Sequence, residues 1–165
     1  MLWKLLTTTP PDMTTVQHYK IFLADDDEDD CMLFEDALRE ICEQTELKTA
    51  NDGEQLMKLL LNHVGTLPNA IFLDLNMPRK NGFECLEEIR ANEELKDIPI
   101  VIFSTTAQQQ SVDRAYERGA NFYIQKPGTF GQLKDIIKKI LNMNWEESRQ
   151  SASLEDFFLH SDLRL

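Results

Sequence analysis

The sequence predicts an α/β fold in which five parallel strands form one doubly wound sheet, and two features of the chain support that prediction. Short, almost continuously apolar segments recur along the sequence, and amphipathic segments with helical spacing separate them. Strands of this kind are buried on both faces, so helices must cover both sides of the sheet. The strand–helix unit occurs five times between residues 19 and 143.

The first half of the chain predicts two strand–helix units and a third strand. Ile21–Ala24 is a short apolar run, and the helix after it is indicated by apolar residues three and four positions apart. Leu47–Ala50 is a weaker strand that ends at the turn sequence of residues 51–53, and Glu54–Asn62 follows as a helix. Ala70–Leu73 is again continuously apolar. The apolar residues with helical spacing are Met32, Leu33, Ala37, Leu38 and Ile41 in the first helix, and Leu56, Leu59 and Leu60 in the second.

The second half of the chain continues the alternation after the loop Leu75–Gly82. The fourth strand is the most β-prone stretch of the sequence, and the fourth helix ends at Gly119, a residue type that favours helix C-termini. The last helix is strongly amphipathic. The expected elements are helix Phe83–Asn92, strand Ile98–Phe103, helix Gln108–Arg118, strand Asn121–Gln125 and helix Thr129–Met143.

The composition restricts the classes of partner and the compartment. The 165 residues include 17 basic and 29 acidic side chains, a net charge of −12 at pH 7, which argues against binding to nucleic acid or membrane. No apolar run is long enough to span a bilayer, and we expect no secretory signal at the amino terminus. Cys31, Cys42 and Cys85 lack metal-type spacing, so we expect buried free thiols in a reducing cytoplasm.

We expect three segments: an N-terminal extension at residues 1–18, a domain at residues 19–143, and a tail at residues 144–165 that is too short for an output domain. Met13 is an alternative start. Leu154–Leu159 is conspicuously apolar for a tail. It packs either on its own domain or on a partner protomer, and deletion of residues 144–165 would distinguish the two interpretations.

Polar side chains follow four of the predicted strands, at the edge where parallel α/β sheets bind ligands. Two carboxylates about 4 Å apart repel each other by roughly 4 kcal/mol at an effective dielectric near 20, so a nearby cation would stabilise the group. Oxygen ligands completed by water suit Mg²⁺. The pattern indicates a metal-dependent phosphate site in which one carboxylate attacks a phosphoryl group. The residues are Asp25 and Asp26 after the first strand, Asp74 after the third, Ser104 after the fourth and Lys126 after the fifth.

Four motifs on this frame resemble those of response-regulator receiver domains, which are CheY-like, with a flavodoxin-like (βα)5 fold and strand order 2-1-3-4-5. The motifs are LADDDED at 23–29, LDLNMPRKNG at 73–82, FSTT at 103–106 and YIQKP at 123–127. Any one of them is weak, but four in register over residues 19–143 are specific. The particular residues within these motifs are similar to those of stand-alone regulators paired with bacterial phytochrome-type histidine kinases.

The resemblance implies that Asp74 accepts a phosphoryl group from a sensor histidine kinase. It further implies that Asp25 and Asp26 hold Mg²⁺ together with Asp74, and that Asn76 contributes its backbone carbonyl. Asp27 extends the acidic pair to a triple, so the assignment of the pair rests on the alignment of the motif. Such a protein is not a classical enzyme, since it catalyses only its own phosphorylation and dephosphorylation.

The resemblance also implies a conformational switch. Ser104 would bind the phosphoryl group, Tyr123 would move inward as that hydroxyl shifts, and Lys126 would pair with the phosphoryl group. The Lys126–Pro127 bond is expected to be cis. The output is a protein-interaction surface for a downstream protein or phosphotransfer protein. A second copy of the chain, forming a homodimer, is a further candidate partner.

Other interpretations of the acidic residues are weaker. A calcium loop beginning at Asp25 would need Gly at its sixth position, where Asp30 stands. Asp25 and Asp27 also resemble the start of haloacid-dehalogenase-type phosphohydrolases, but Asp29 stands where those proteins have Thr or Val. A receiver-like module that is never phosphorylated is the remaining alternative. Asp29 and Asp30 are expected only to favour the start of a helix, and Arg79, Lys80, His18, His63 and His160 receive no role.

Overall fold

The computed structural model describes residues 18–145 and 153–159. The alternative start at Met13, most of the N-terminal extension, and the remainder of the tail lie outside these residues. The strands are β1 (Lys20–Ala24), β2 (Glu46–Ala50), β3 (Ala70–Leu73), β4 (Ile100–Ser104), β5 (Phe122–Gln125) and β6 (Phe158–Leu159). The helices are α1 (Glu28–Ile41), α2 (Gly53–Leu61), α3 (Gly82–Ala91), α4 (Gln109–Glu117), α5 (Phe130–Leu141) and α6 (Leu154–Phe157).

The strands form one parallel sheet in the order β2-β1-β3-β4-β5-β6. The predicted order of the first five strands is confirmed. A short sixth strand, β6, is added to the predicted five and pairs with the outer edge of β5. An edge strand presents unpaired backbone N–H and C=O groups, and an apolar segment of the same chain can satisfy them.

Alternating residues of each strand face two separate cores, because side chains in a strand point to opposite faces in turn. Phe22 and Ile71 pack under α2 and α3, while Leu23 and Phe72 pack under α1 and α5. On the second face, the rings of Phe34, Phe72 and Phe103 form a cluster of edge-to-face contacts with centroids 4.8 to 6.1 Å apart. The sheet is therefore covered on both sides, as a buried parallel sheet requires.

The buried face of helix α1 differs from the expectation. The buried face of α1 consists of Phe34, Ala37 and Leu38, whereas Met32 and Leu33 are 63% and 49% exposed. Helical spacing alone therefore did not separate the buried stripe of α1 from its exposed apolar residues. No helix among the described residues is long and apolar enough to cross a membrane.

The three cysteines, all of them among the described residues, form no disulfide, but only Cys85 is fully buried. The expectation of three buried thiols is wrong for Cys31 and Cys42, which are half-buried, and Cys42 lies just after α1 rather than within it. Burial raises the pKa of Cys31 to about 11 and that of Cys85 to about 12. Both thiols therefore stay protonated at neutral pH and are poor nucleophiles.

The apolar part of the tail packs on its own domain, which is the first of the two interpretations. Phe158 and Leu159 pair with Tyr123 and Ile124 of β5. Phe157 is fully buried, and its ring lies 5.2 Å from that of Tyr116 on α4. The segment thus covers the edge of the sheet between α4 and β5.

Candidate functional site

Asp25 and Asp74 are neighbours because they follow paired residues of adjacent strands. Ala24 of β1 is in register with Leu73 of β3, so the next residue of each strand reaches the same edge of the sheet. The Asp74 amide donates to the carbonyl of Ala24 at 2.9 Å, which continues the ladder one residue past the strands. This pairing fixes both carboxylates at the carboxyl edge, where the sequence predicted the crevice.

The acidic triple separates into two roles. The side chain of Asp27 caps α1, accepting from the amides of Asp29 and Asp30 at 3.0 and 3.2 Å. Asp25, Asp26 and Asp74 instead direct one carboxylate oxygen each to a common point, with these oxygens within 4.8 Å of one another. The pair assigned by the motif, Asp25 and Asp26, is therefore the pair that meets Asp74.

Lys126 reaches this cluster from the end of β5. Its Nζ lies 2.6 Å from Oδ2 of Asp25 and 3.9 Å from Oδ2 of Asp74. It also donates to Asp30 at 2.8 Å, a contact that sequence reasoning missed. Asp30 had been assigned only to the helix start, but it lies in the first turn of α1 on the side that faces the end of β5. No local signal separates that role from a helix-start carboxylate.

Burial dominates the electrostatics of the site. It raises the pKa of Asp74 to about 6, and the charge of Asp25 adds to the effect, while Lys126 and the amides of Leu75 and Asn76 oppose it. Burial likewise raises the pKa of Asp25, against the opposing Lys126 ammonium. For Lys126 burial alone would lower the pKa, but its close contacts with the carboxylates of Asp25 and Asp30 outweigh that effect and hold the pKa above its ordinary value. The cluster is thus a crowded anionic site that one ammonium only partly neutralises.

The loop after β3 is held closely against Asp74. The Leu75 amide donates to Oδ1 of Asp74 at 2.8 Å, and the Gly82 amide closes the loop by donating to the Leu75 carbonyl at 3.0 Å. A Cβ on Gly82 would lie 2.2 Å from the carbonyl oxygen of Asp74, so only glycine allows this approach. At the end of the loop Asn81 forms a reciprocal capping box with Glu84.

Ser104 and Tyr123 lie behind the cluster, on β4 and β5. Ser104 is fully buried, and its hydroxyl accepts from the amide of Thr106 at 3.4 Å. The Tyr123 ring is already inside the domain, and its hydroxyl donates to the carbonyl of Thr106 at 2.8 Å. The ring of Phe158 stacks on Tyr123 at 5.7 Å between centroids. In this inward position Tyr123 is contacted by both the β4–α4 loop and the tail. The expected movement of Tyr123 remains a prediction.

The expectation of a cis Lys126–Pro127 bond is wrong for this structure, since none of the described peptide bonds is cis. The trans form of an X–Pro bond is favoured by about 0.5–1 kcal/mol in the absence of other constraints. The Lys126 amide still donates to the Ser104 carbonyl at 2.8 Å. The lysine is thus oriented by the β4–β5 ladder.

The donor set fits a divalent cation of the hard, oxygen-binding class. Oδ2 of Asp25 is buried and makes an ion pair with Lys126 but accepts no well-aligned hydrogen bond from the described residues. Asp26 is exposed at the mouth of the cluster, and Asn76 is exposed in the adjoining loop. A buried carboxylate with an unused lone pair, beside an open side toward water, is the arrangement that a partly hydrated ion needs.

The chain belongs to the response regulator receiver domain family, whose model matches residues 21–138. Aspartate phosphorylation is inherent to this family, whose members are response regulators rather than classical enzymes. Response regulator Rcp1 of Synechocystis is 35% identical over 124 residues, covering 73% of this chain and 82% of Rcp1. The probable methanogenesis regulatory protein FilR2 of Methanothrix harundinacea is 30% identical over 133 residues, covering 78% of this chain and 86% of FilR2.

Solved structures agree with the fold. The phosphorylated cyanobacterial phytochrome response regulator RcpA superposes with a TM-score of 0.69 at 36% identity, covering 75% of this chain and 91% of RcpA. The Mn²⁺-bound form of Rcp1 gives a TM-score of 0.68 at 32% identity, covering 78% of this chain and 95% of Rcp1. The resemblance to receiver domains, and to regulators of the phytochrome type, is confirmed.

Proposed function

We propose that Asp74 is the phosphoacceptor of a two-component phosphorelay and that its phosphorylation switches a protein-interaction surface. The observation that supports this is the cluster itself. One carboxylate oxygen from each of Asp74, Asp25 and Asp26 lies within 4.8 Å of the other two, and Nζ of Lys126 lies 3.9 Å from Oδ2 of Asp74. A carboxylate oxygen of Asp74 attacks the phosphorus of a phosphohistidine. The new O–P bond forms as the P–N bond breaks, and the imidazole leaves with the electron pair and takes up a proton.

We propose Mg²⁺ as the cation, held by the side chains of Asp25, Asp26 and Asp74 and by the backbone carbonyl of Asn76. When bound, the ion supplies positive charge to the oxygens of the transferring phosphoryl group. Lys126 adds a second positive charge on the β5 side, and the chain needs no other catalyst for its own phosphorylation and dephosphorylation.

The hydroxyl of Ser104 is the proposed donor to the phosphoryl group. Drawing that hydroxyl toward Asp74 would remove the acceptor that the Thr106 amide now uses at 3.4 Å. Tyr123 shares the Thr106 segment through its own hydroxyl, so the change would reach β5 and the neighbouring helices α4 and α5. A local charge event of this kind can bias a two-state surface.

The proposed donor is a sensor histidine kinase of the phytochrome type, because RcpA, which is 36% identical to this chain, is described as a cyanobacterial phytochrome response regulator. The receiver domain comprises residues 19–143, and the partner that recognises its switched surface is a downstream protein or a phosphotransfer protein. A homodimer stays a prediction that light scattering on the chain with and without residues 144–165 would test.

Intact-mass spectrometry after incubation with phosphoramidate tests the phosphoacceptor directly. We expect one added phosphoryl group that requires Mg²⁺ and is lost in Asp74→Asn. The matched control is Asp36→Asn, since Asp36 is an exposed carboxylate of α1 outside the cluster. The control should gain the phosphoryl group like the wild type.

Two outcomes would contradict the proposal. Phosphorylation retained in Asp74→Asn would assign the adduct to another group, and no adduct in the wild type would favour the unphosphorylated module. The kinase class is tested separately, by phosphotransfer from a labelled phytochrome-type kinase compared with a labelled kinase of another class over a short time course. Equal transfer rates would reject the phytochrome-type assignment without affecting that of Asp74.

A further inference from the structure

The loop that follows the proposed phosphoacceptor is tied to the start of α2 by an ion pair between Arg79 and Asp52. The carboxylate of Asp52 is buried, while 54% of the Arg79 side chain is exposed. Nε of Arg79 donates to Oδ2 of Asp52 at 2.8 Å, and a second guanidinium nitrogen contacts the same oxygen. Oδ1 of Asp52 accepts from the amide of Gln55 at 2.8 Å, which caps α2. Both oxygens are therefore engaged, one by the helix and one by the loop.

The backbone supports the same junction. Arg79 has a φ of 65°, the single positive φ of a non-glycine residue among the described residues. This left-handed conformation is unfavourable for an arginine, so the surroundings must hold it. The amide of Gly53 donates to the carbonyl of Lys80 at 3.2 Å, and a Cβ on Gly53 would lie 2.3 Å from that oxygen. The start of α2 and residues 79–80 are thus in direct backbone contact.

The loop is held in place at Leu75, at residues 79–80 and at Gly82, and Asn76 lies between the first two of these places. Its first residue, Leu75, donates to the Asp74 carboxylate, and its far end is closed by the Gly82 amide on the Leu75 carbonyl. The carbonyl of Asn76 is the proposed metal ligand. Displacement of Arg79 would therefore move the backbone that carries this carbonyl.

We propose that Arg79 and Asp52 are positioning residues, which fix the loop so that the Asn76 carbonyl and the Leu75 amide are directed to the Asp74 site. This inference rests on the proposed function of that site. Neither residue touches the reacting atoms, and their effect is transmitted through the backbone of residues 75–81. Arginine suits the role because its planar guanidinium contacts a carboxylate with two nitrogens, which lysine cannot do.

The sign of one substitution separates positioning from simple electrostatics. Arg79→Gln removes a positive charge near an anionic site, so charge alone would tighten Mg²⁺ binding. Loss of positioning would weaken it. Arg79→Lys keeps the charge and loses the paired contacts, so any weakening there reports geometry. Asp52→Asn keeps an acceptor for the helix cap, because Asn is as good a cap as Asp, and removes only the ion pair.

The experiment is an Mg²⁺ titration of the full chain, followed by the amide NMR signals of Leu75 and Asn76. We expect the Kd for Mg²⁺ to rise at least about threefold in Arg79→Gln, less in Arg79→Lys, and no further when Asp52→Asn is added to Arg79→Gln. The matched control is Lys134→Gln, which removes a cation and breaks the pair of Lys134 with Glu40 at 2.8 Å, far along the chain from the loop.

The possible results are distinct. A Kd that is unchanged or lower in Arg79→Gln, or one that rises equally in Lys134→Gln, would overturn the positioning role. An Arg79→Gln chain that loses stability in urea while keeping the wild-type Kd would assign the pair a purely structural part and also overturn it. A wild type that does not bind Mg²⁺ at all would instead reject the proposed metal site, and the inference with it.

Discussion

Replacing Asp74 by Asn should stabilise the metal-free protein at neutral pH. Asp74 is 6% exposed, its carboxylate lies near that of Asp25, and its pKa is raised from 3.8 to about 6, chiefly by burial. A raised pKa for an acid means that the folded protein disfavours the charged form. Asn keeps the shape of the side chain but carries no charge, so the substitution removes that unfavourable contribution.

The magnitude follows from the shift. Two pKa units at about 1.4 kcal/mol per unit correspond to about 3 kcal/mol, which is an upper limit because Asn loses some of the hydrogen bonds of the carboxylate. Lys126 keeps its contacts with Asp25 and Asp30, so no buried cation is left alone. We therefore expect the free energy of unfolding to rise by about 1–3 kcal/mol.

The dependence on pH has a definite sign. Between 3.8 and about 6 the folded wild type binds more protons at Asp74 than the unfolded chain does, so its stability falls as the pH rises. Above this window the loss is complete. The advantage of Asp74→Asn should therefore be near zero below about pH 4, grow through the window, and reach a plateau above about pH 6.

Urea denaturation followed by circular dichroism measures this, with chelator present, at several pH values. Asp36→Asn is the control, since an exposed carboxylate should change stability by less than about 0.5 kcal/mol. Added Mg²⁺ should stabilise the wild type and reduce the difference, because a ligand that binds only the folded state raises its stability by mass action. An Asp74→Asn chain that is no more stable than the wild type at neutral pH would refute the account of the crowded site, as would a gain that does not change with pH.

Two further substitutions test other parts of the structure. Phe157→Ala should lower the free energy of unfolding by about 3 kcal/mol, since Phe157 is fully buried against Tyr116 and Tyr123. Urea denaturation measures this, and a loss below about 0.5 kcal/mol would mean that the tail does not pack there in solution. Gly82→Ala should slow phosphorylation by phosphoramidate at least about tenfold, because its Cβ would lie 2.2 Å from the Asp74 carbonyl oxygen, whereas Gly131→Ala, with nothing within 4 Å, should not. Equal rates for the two glycine variants would contradict the close approach.

The sequence alone determined the five strands and five helices of residues 19–143 and the polar residues at the carboxyl ends of those strands. Apolar runs and helical spacing are local properties, and the boundaries of Ala70–Leu73 agree with the structure at both ends. Because parallel strands share one carboxyl edge, the position of Asp25, Asp74, Ser104 and Lys126 at that edge also followed from the sequence. The motifs added the identity of the site, since spacing along the chain is preserved wherever the fold is.

Only the tertiary structure decided which polar groups meet across the site. The sequence left Asp27 as the third member of the acidic triple and gave Asp30 only a helix-start role, yet Asp27 caps α1 and Asp30 binds Lys126. The pairs of Arg79 with Asp52 and of Phe158 with Tyr123 join residues far apart in sequence. Such contacts depend on strand register, loop conformation and the direction of each side chain, and these are set by the packing of the whole domain rather than by any local pattern.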